Sequence, residues 1–443
     1  MRLLLLSLFF YLILLPLSAQ TASGIINELN AVNSAIATRP CTNGSTAIIS
    51  NRAMNVFLAD KTGYVSATAD LSLYTNYVTF NTTDGRLTVN HNFQKATGVD
   101  KPVKKLFSAG MYANVVSSFT TNHSGNRVAN ELGLMLSYKW LGKVKTHITA
   151  CTITQQGNTE KQTMDALRQG ITRLLVVEIN EKDAAFKMAL AAIKVTELPG
   201  QNPDSAANIM RQDFYKDLKE AYTQKFAVLQ AEKLTQTNNF KIITTSWTSL
   251  TASIPLAYPA YQVAQTLTAQ LQKKHSYPLQ VMLAHTRFFE SSKAGRLFIS
   301  GTAGTLFNSS TLNYGLTEVS YTDYKSLGGT DTLHLARLKT KGAFIGNYQT
   351  FITPSIRARV VYFPRNSHIG ISVLVQQNFG IDNLLSGKLA VPVVLINSKK
   401  LPAANFEFYV SFLDISSRIS GERIGDKAIV GVSVGIPFSR LIY

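Results

Sequence analysis

The run AIVGVSVGIPF, Ala428 to Phe438, alternates apolar residues with small or polar ones. Gly431, Ser433 and Gly435 share one parity, and the apolar parity comprises Ala428, Val430, Val432, Val434, Ile436 and Phe438. Because successive side chains of a β-strand point to opposite faces, this run predicts a strand with one apolar face. Two structures end in such a strand: a membrane β-barrel, whose apolar face meets lipid, and a soluble, secreted β-sandwich.

An export signal precedes this strand pattern. Arg2 is followed by the apolar run Leu3–Leu17, and Ala19 offers a small residue for cleavage. This order is typical of a secretory signal peptide, so we predict that residues 1–19 are removed. About 15 apolar residues are short for an anchor, since a spanning helix needs about 20. The later sequence offers no longer apolar helix, so an integral membrane protein would have to cross the bilayer with strands.

The composition favours a barrel over a soluble protein. Of 443 residues, 45% are hydrophobic and only 16% are charged, whereas a soluble chain usually has about 25% charged residues. The 44 Lys plus Arg exceed the 26 Asp plus Glu, which gives a formal charge of +18. A basic protein favours anionic lipid, phosphate-bearing glycans or anionic solutes as partners, and export argues against nucleic acid.

The sequence offers no metal or cofactor motif. Its two cysteines, Cys41 and Cys151, could pair in an oxidising compartment but do not form a disulfide framework. There is no CxxC motif and no Cys/His cluster, so a structural zinc site is not expected. A glycine-rich phosphate loop is also absent from the sequence.

The chain divides into regions of helix and strand. Residues 20–60 begin with a helix that Ser23 caps, followed by an irregular segment. Residues 61–142 contain the first barrel strands, including a hairpin turn at Asp84-Gly85. Helical spacing after Met164 and after Ile209 predicts a helical insertion over residues 143–238, outside the bilayer or within the lumen.

The remaining barrel strands are predicted over residues 239–443. Alternation is clear from Tyr261 to Leu271 and from Arg296 to Asn308, and a Tyr-rich segment surrounds Tyr321. Further runs lie near residues 332–340, 343–363, 368–379, 387–397, 404–415 and 427–439. Both halves together give about 12 to 14 strands, and 12 is preferred because single-chain bacterial barrels have even numbers.

Candidate catalytic patterns are weak. Gly431-Val-Ser-Val-Gly435 matches the nucleophile elbow, but it lies in a strand pattern, and no His or acidic residue follows it. His285 and Glu290 have opposite strand parity, which argues against an acid/base pair. We therefore expect a protein without enzymatic activity, and the alternative is a membrane-embedded hydrolase.

A cluster of basic residues is the one candidate functional site that a physical argument supports. No Asp or Glu occurs between His334 and His368, a segment that contains Arg337, Lys339, Lys341, Arg357, Arg359 and Arg365. Arg357 and Arg359 have the parity opposite to that of the apolar residues, and a charge facing lipid at mid-depth costs about 2 to 4 kcal/mol. They are predicted to face the lumen, where they would favour anions. The alternative is that they pair with distant carboxylates or contact lipid phosphates at the rim.

These features together resemble Gram-negative outer-membrane β-barrel proteins as a class, over residues 63–142 and 239–443. Such proteins often end in an aromatic residue that the barrel-assembly machinery reads, and Phe438 and Tyr443 resemble this signal. Tyr443 has the opposite parity to Phe438, and a bulge near Pro437 would restore the phase.

The resemblance implies a porin-like protein of the outer membrane, with lipid and the barrel-assembly machinery as partners. It would act in passage of small solutes, including anionic ones, or in a structural or binding role at the cell surface. The alternative function is that of a soluble binding or adhesion protein, periplasmic or secreted, with β and helical domains.

Overall fold

The computed structural model describes residues 21–65, 71, 73–82, 86–93, 100, 102–114, 132–149, 159–192, 203–256, 260–310, 316–326, 335–398, 401–412, 414–416 and 428–440. Its helices are α1 (Ala22–Ala37), α2 (Asn51–Thr62), α3 (Glu160–Ala192) and α4 (Pro203–Thr237), with short 3-10 turns at Gly63–Val65 and Gly380–Asp382. The predicted signal peptide lies outside these residues, and so does the Asp84-Gly85 turn.

The strands are β1 (Thr75–Asn81), β2 (Arg86–Phe93), β3 (Lys105–Asn114), β4 (Leu132–Leu141), β5 (Lys145–His147), β6 (Ile242–Pro255), β7 (Ala260–Ala264), β8 (Gln272–His275), β9 (Gln280–Ser291), β10 (Gly295–Ser309), β11 (Thr317–Ser326), β12 (Leu335–Ile345), β13 (Thr350–Pro364), β14 (Ile371–Asn378), β15 (Leu385–Ile396), β16 (Pro402–Phe412) and β17 (Ala428–Arg440).

Twelve strands form a closed antiparallel barrel. Their order is β1-β2-β3-β4-β6-β9-β10-β13-β14-β15-β16-β17, and β17 returns to pair with β1. Closure leaves no free edge among these strands, so neighbouring strands satisfy each other's backbone donors and acceptors. The predicted fold, an antiparallel barrel of 12 strands with a helical insertion, is confirmed.

The barrel wall separates an apolar outer face from a mixed inner face. On β17, Val430 and Ile436 are exposed outward, while Gly431, Ser433 and Gly435 are buried. On β13 the outward set consists of Ile352, Pro354, Ile356, Ala358, Val360 and Tyr362. Alternation of this kind follows directly from the pleat of each strand.

The two ends of the barrel differ. At one end of the barrel, which we call the helical end, β1 begins and β17 ends. The short turns after β9, β13 and β15 and the helices lie at the same end. The turn after β9 uses Gly295 at φ +103°, where a side chain would be strained. The opposite end, which we call the loop end, carries a sheet of four strands in the order β11-β12-β7-β8.

The helical end carries a bundle of α1, α3 and α4. The N-cap of α1 is Thr21, whose side chain accepts a hydrogen bond from the Gly24 amide, two residues before the predicted cap. The core of this bundle includes Leu29, Leu175 and Phe226. With 33 residues, α3 is about 50 Å long, roughly twice the length of α1. None of the helices in the described part of the chain has an uncharged apolar stretch long enough to cross a bilayer.

Three predicted barrel strands were wrong in their location. The run from Tyr261 to Leu271 contains only the short strand β7, then a turn in which Leu267 is exposed. The Tyr-rich segment forms β11, and the run near residues 332–340 contributes to β12. All three belong to the small sheet at the loop end, because alternation specifies a two-faced strand but not the sheet that it joins.

Candidate functional site

A helix fills the barrel lumen at the helical end. The predicted irregular segment was wrong here, since residues 51–62 form α2. Ser50 caps α2 by accepting a hydrogen bond from the Ala53 amide at 3.2 Å, and nine of the twelve residues of the helix are buried. Its side chains share a core with Trp247, Phe288 and Phe298 of the inner wall. The signal was the cap Ser50 followed by the apolar residues Ala53, Met54, Val56, Phe57, Leu58 and Ala59 at the centre of the helix, which indicates a buried helix.

A buried charged cluster, which we call the plug anchor, joins this helix to the wall. It consists of Lys61, Tyr64, Glu290, Arg296 and His368. The Glu290 carboxylate accepts hydrogen bonds from Arg296 Nε at 2.6 Å and Nη2 at 3.3 Å, and lies 3.7 Å from Lys61 Nζ. The Arg296 guanidinium covers the Tyr64 ring at 3.9 Å. The Tyr64 hydroxyl hydrogen-bonds to His368 Nδ1 at 3.2 Å. The chain after α2 is therefore tied to strands β9 and β10 and to the turn after β13.

The plug anchor makes stability depend on pH. Burial lowers the pKa of His368 below its ordinary value of 6.5, and the positive charges of Arg296 and Lys61 lower it further. The unfolded chain then takes up this proton at a higher pH than the folded chain. The free energy of unfolding is therefore expected to fall as the pH decreases through about 6.5. Urea unfolding from about pH 8 to about pH 5 measures this loss. His368→Gln should give a shallower pH dependence, and an unchanged slope would contradict the assignment.

A second charged cluster lies in the barrel wall between α2 and the loop end. Arg359 Nη2 is 2.5 Å from Glu407 Oε1, and Lys388 Nζ is 3.3 Å from Glu407 Oε2. Lys388 also lies over the Tyr409 ring at 3.6 Å. One buried carboxylate is thus shared by two cations. Arg357 Nε donates a hydrogen bond to Gln376 Oε1 at 3.0 Å, one strand away on β14.

The inner wall is basic overall. Among the inward-facing side chains that the structure describes on the twelve barrel strands, two are acidic, Glu290 and Glu407. Six are basic: Arg86, Lys139, Arg296, Arg357, Arg359 and Lys388. These described side chains therefore give the lumen wall an excess of four positive charges. A low-dielectric wall strengthens the effect of such charges on a small ion in the lumen.

The inner face of β1, β2, β3, β4 and β6 forms a polar recess. It has a cavity volume of about 10 Å³, room for about one water molecule. It is lined by Tyr77, Asn90, Ser108, Met135, Ser137, Lys139, Ser249 and Thr251. Amide, hydroxyl and ammonium groups predominate in its lining, and its size suits a single water molecule. Within the described residues, no group of three His, Cys, Asp or Glu side chains lies close enough to hold a metal ion.

The structure separates the residues of the predicted basic cluster. Arg357 and Arg359 lie on the inner face of β13, with the contacts given above. Arg365 is exposed in the turn at the helical end. The others, Arg337, Lys339 and Lys341, lie on β12 in the small sheet and not in the barrel wall. Sequence proximity had suggested one wall, but the chain leaves the barrel between β10 and β13.

The remaining predicted positions are also located. Phe438 is exposed on the outer face, and Tyr443 lies outside the described residues. The register of β1 and β17 shifts between Asn76 and Tyr77, opposite Ser439 and Pro437, so β17 has one extra residue there. Cys41 is disulfide-bonded, and Cys151 is outside the described residues.

His285 is exposed outward and Glu290 is buried inward, so these two residues form no acid/base pair.

No protein-family model matches the chain, and no curated protein matches it either.

Proposed function

We propose that this chain is an outer-membrane β-barrel protein whose lumen accepts small anionic solutes from the loop end. The observation that carries the proposal is the contrast between the two faces of a closed wall, apolar outside and polar with excess positive charge inside. Lipid would cover the outer face, and the barrel-assembly machinery would insert the protein. The proposal assigns no chemical reaction to it.

The outer face supports a lipid environment. Exposed apolar side chains on it include Val89, Met111, Leu283, Ile299, Ile356, Val375, Leu389, Val391, Phe408, Val430 and Ile436. An apolar area that surrounds a whole barrel far exceeds the few hundred square ångströms usual on a soluble monomer. Near the helical end the exposed aromatic residues include Phe93, Phe107, Trp140, Tyr362 and Phe438, a position typical of interfacial anchors.

The position of α2 in the lumen determines whether a solute can pass through the barrel or only bind inside it. α2 blocks the helical end through the core that it shares with Trp247 and Phe288. A solute that enters from the loop end would therefore reach the Arg357, Arg359 and Lys388 region first. Passage through the barrel requires displacement of α2, whereas binding at the wall does not.

Fractionation of the expressed protein tests the membrane assignment. Retention in the outer-membrane pellet after carbonate or urea extraction is expected, together with a folded band that shifts on heating before gel electrophoresis. Release into the soluble fraction would overturn the assignment and favour an exported binding or adhesion protein.

The lumen charges give a prediction on ion selectivity. The double variant Arg357→Ser, Arg359→Ser removes about half of the excess positive charge of the wall, so its preference for anions should fall. Reversal potentials across a planar bilayer under a KCl gradient measure this preference. Measurements in a Glu290→Gln background, where α2 is expected to be loosened, prevent a closed lumen from hiding the effect.

A matched control removes two arginines from the helical insertion. The double variant Arg173→Ser, Arg211→Ser has the same change in net charge, and both residues are exposed outside the barrel. Its selectivity should equal that of the parent protein. If both double variants keep the parent selectivity, Arg357 and Arg359 have no role in anion preference. Absence of conductance in every background would leave binding at the wall as the function.

A further inference from the structure

The described outward-facing side chains of the barrel carry charge of one sign only. Among the outward-facing side chains that the structure describes on the twelve barrel strands, none is Asp or Glu. The basic ones are Lys105 and Arg287, and the histidines are His91 and His285. His91, Lys105 and Arg287 lie in the half of their strand that is nearer the helical end, and His285 lies at the middle of β9. The apolar outer face therefore has a cationic rim at that end.

The most developed part of this rim lies on β6 and β9. In the register of these strands His285 pairs with Thr248, and Arg287 pairs with Ser246. His285 Nδ1 lies 2.9 Å from the Thr248 hydroxyl oxygen. The Arg287 guanidinium is 5.1 Å from the centre of the Phe289 ring. Four hydrogen-bonding side chains thus face outward on two adjacent strands.

The depth of this patch is fixed by its neighbours. The next outward pair toward the loop end is Leu250 and Leu283, both exposed apolar residues. Trp140 on β4 pairs with Thr248 and is also exposed. An exposed Trp beside an apolar wall is typical of the boundary between acyl chains and headgroups. The Arg287 side of the patch therefore lies toward headgroup level, where a charge has little desolvation penalty, and His285 lies one step deeper.

We propose that Arg287, with His285, Ser246 and Thr248, binds the phosphate of an anionic phospholipid in the leaflet at the helical end. A guanidinium binds a phosphate with two parallel hydrogen bonds, and the hydroxyl groups and imidazole supply further partners. Since the outward-facing side chains that the structure describes on the barrel strands include no carboxylate, the patch complements an anion. This site rests on the proposed function, since it requires the barrel to lie in a bilayer.

Native mass spectrometry of the detergent-solubilised protein tests the site. The wild-type protein should retain added phosphatidylglycerol in preference to phosphatidylcholine, and inorganic phosphate should not displace it. The double variant Arg287→Gln, His285→Gln should retain phosphatidylglycerol about fivefold less, the change expected for loss of one basic contact at a lipid surface. Arg173→Gln, on the exposed surface of α3, is the control and should retain lipid as the wild type does.

The outcomes separate this site from the proposed function. A heat-shifted band first establishes that each variant is folded. If the protein is integral but the double variant retains phosphatidylglycerol like the wild type, the lipid site is wrong and the barrel assignment stands. If the wild type is a dimer that the double variant dissociates, the patch is an interface between two copies and not a lipid site. Release of the wild type by carbonate would overturn the proposed function itself.

Discussion

Replacement of Glu290 by glutamine is expected to lower the free energy of unfolding by about 3 to 5 kcal/mol, the usual effect of breaking a buried ion pair. The variant leaves Arg296 and Lys61 as two cations in a buried site without their shared carboxylate. Urea unfolding in lipid vesicles, followed by tryptophan fluorescence, measures the change. Trp247 belongs to the core around α2, so tryptophan fluorescence is sensitive to this region.

The same variant should loosen α2, because Lys61 loses its wall partner. Conductance across a planar bilayer is then expected to increase relative to the wild-type protein. Glu178→Gln is the matched control, since its partner Lys225 lies on the half-exposed surface of the helical bundle. The control should change stability by less than about 1 kcal/mol. Equal stability of the two variants would show that the plug anchor contributes nothing.

An arginine at position 356 is expected to destabilise the barrel by about 2 to 4 kcal/mol if the outer face lies in lipid. Ile356 is 57% exposed near the middle of β13, between Ala303 on β10 and Gln377 on β14. Lipid cannot solvate the guanidinium at this depth. The midpoint of urea unfolding in vesicles gives the effect directly.

Leu267→Arg is the control for this substitution. Leu267 is 80% exposed in the turn between β7 and β8, outside the barrel wall. Its replacement should change the free energy of unfolding by less than about 0.5 kcal/mol, as at other exposed positions. A soluble barrel would tolerate both substitutions equally, because water would surround both side chains. Equal loss of stability in the two variants would therefore show that the outer face of the barrel does not lie in lipid.

The helices and barrel strands could be predicted from local periodicity. The alternation from Val430 to Phe438 predicted a two-faced strand, and the spacing after Met164 and Ile209 predicted the long helices. These signals are local because the pleat of a strand and the turn of a helix repeat within a few residues. The location of α2 could not be predicted in this way. Its cap and apolar residues indicate a buried helix, but they do not show that a barrel surrounds it.

The partners of the charged residues required the folded chain. Arg359 reaches Glu407 across 48 positions of sequence, and Lys61 meets Glu290 across a still longer separation. Parity identifies the face of a strand on which a charge lies, but not the strand that faces it. For the same reason, Arg337, Lys339 and Lys341 seemed to join Arg357 in one wall, although they lie on another sheet.

The sequence by itself therefore determined the faces of the strands and the helical insertion, because each depends on a repeat of a few residues. Only the tertiary structure decided which strands close the barrel, that α2 fills its helical end, and how Glu290 and Glu407 each hold two cations. These contacts join residues far apart in sequence, and closure of the barrel brings them together.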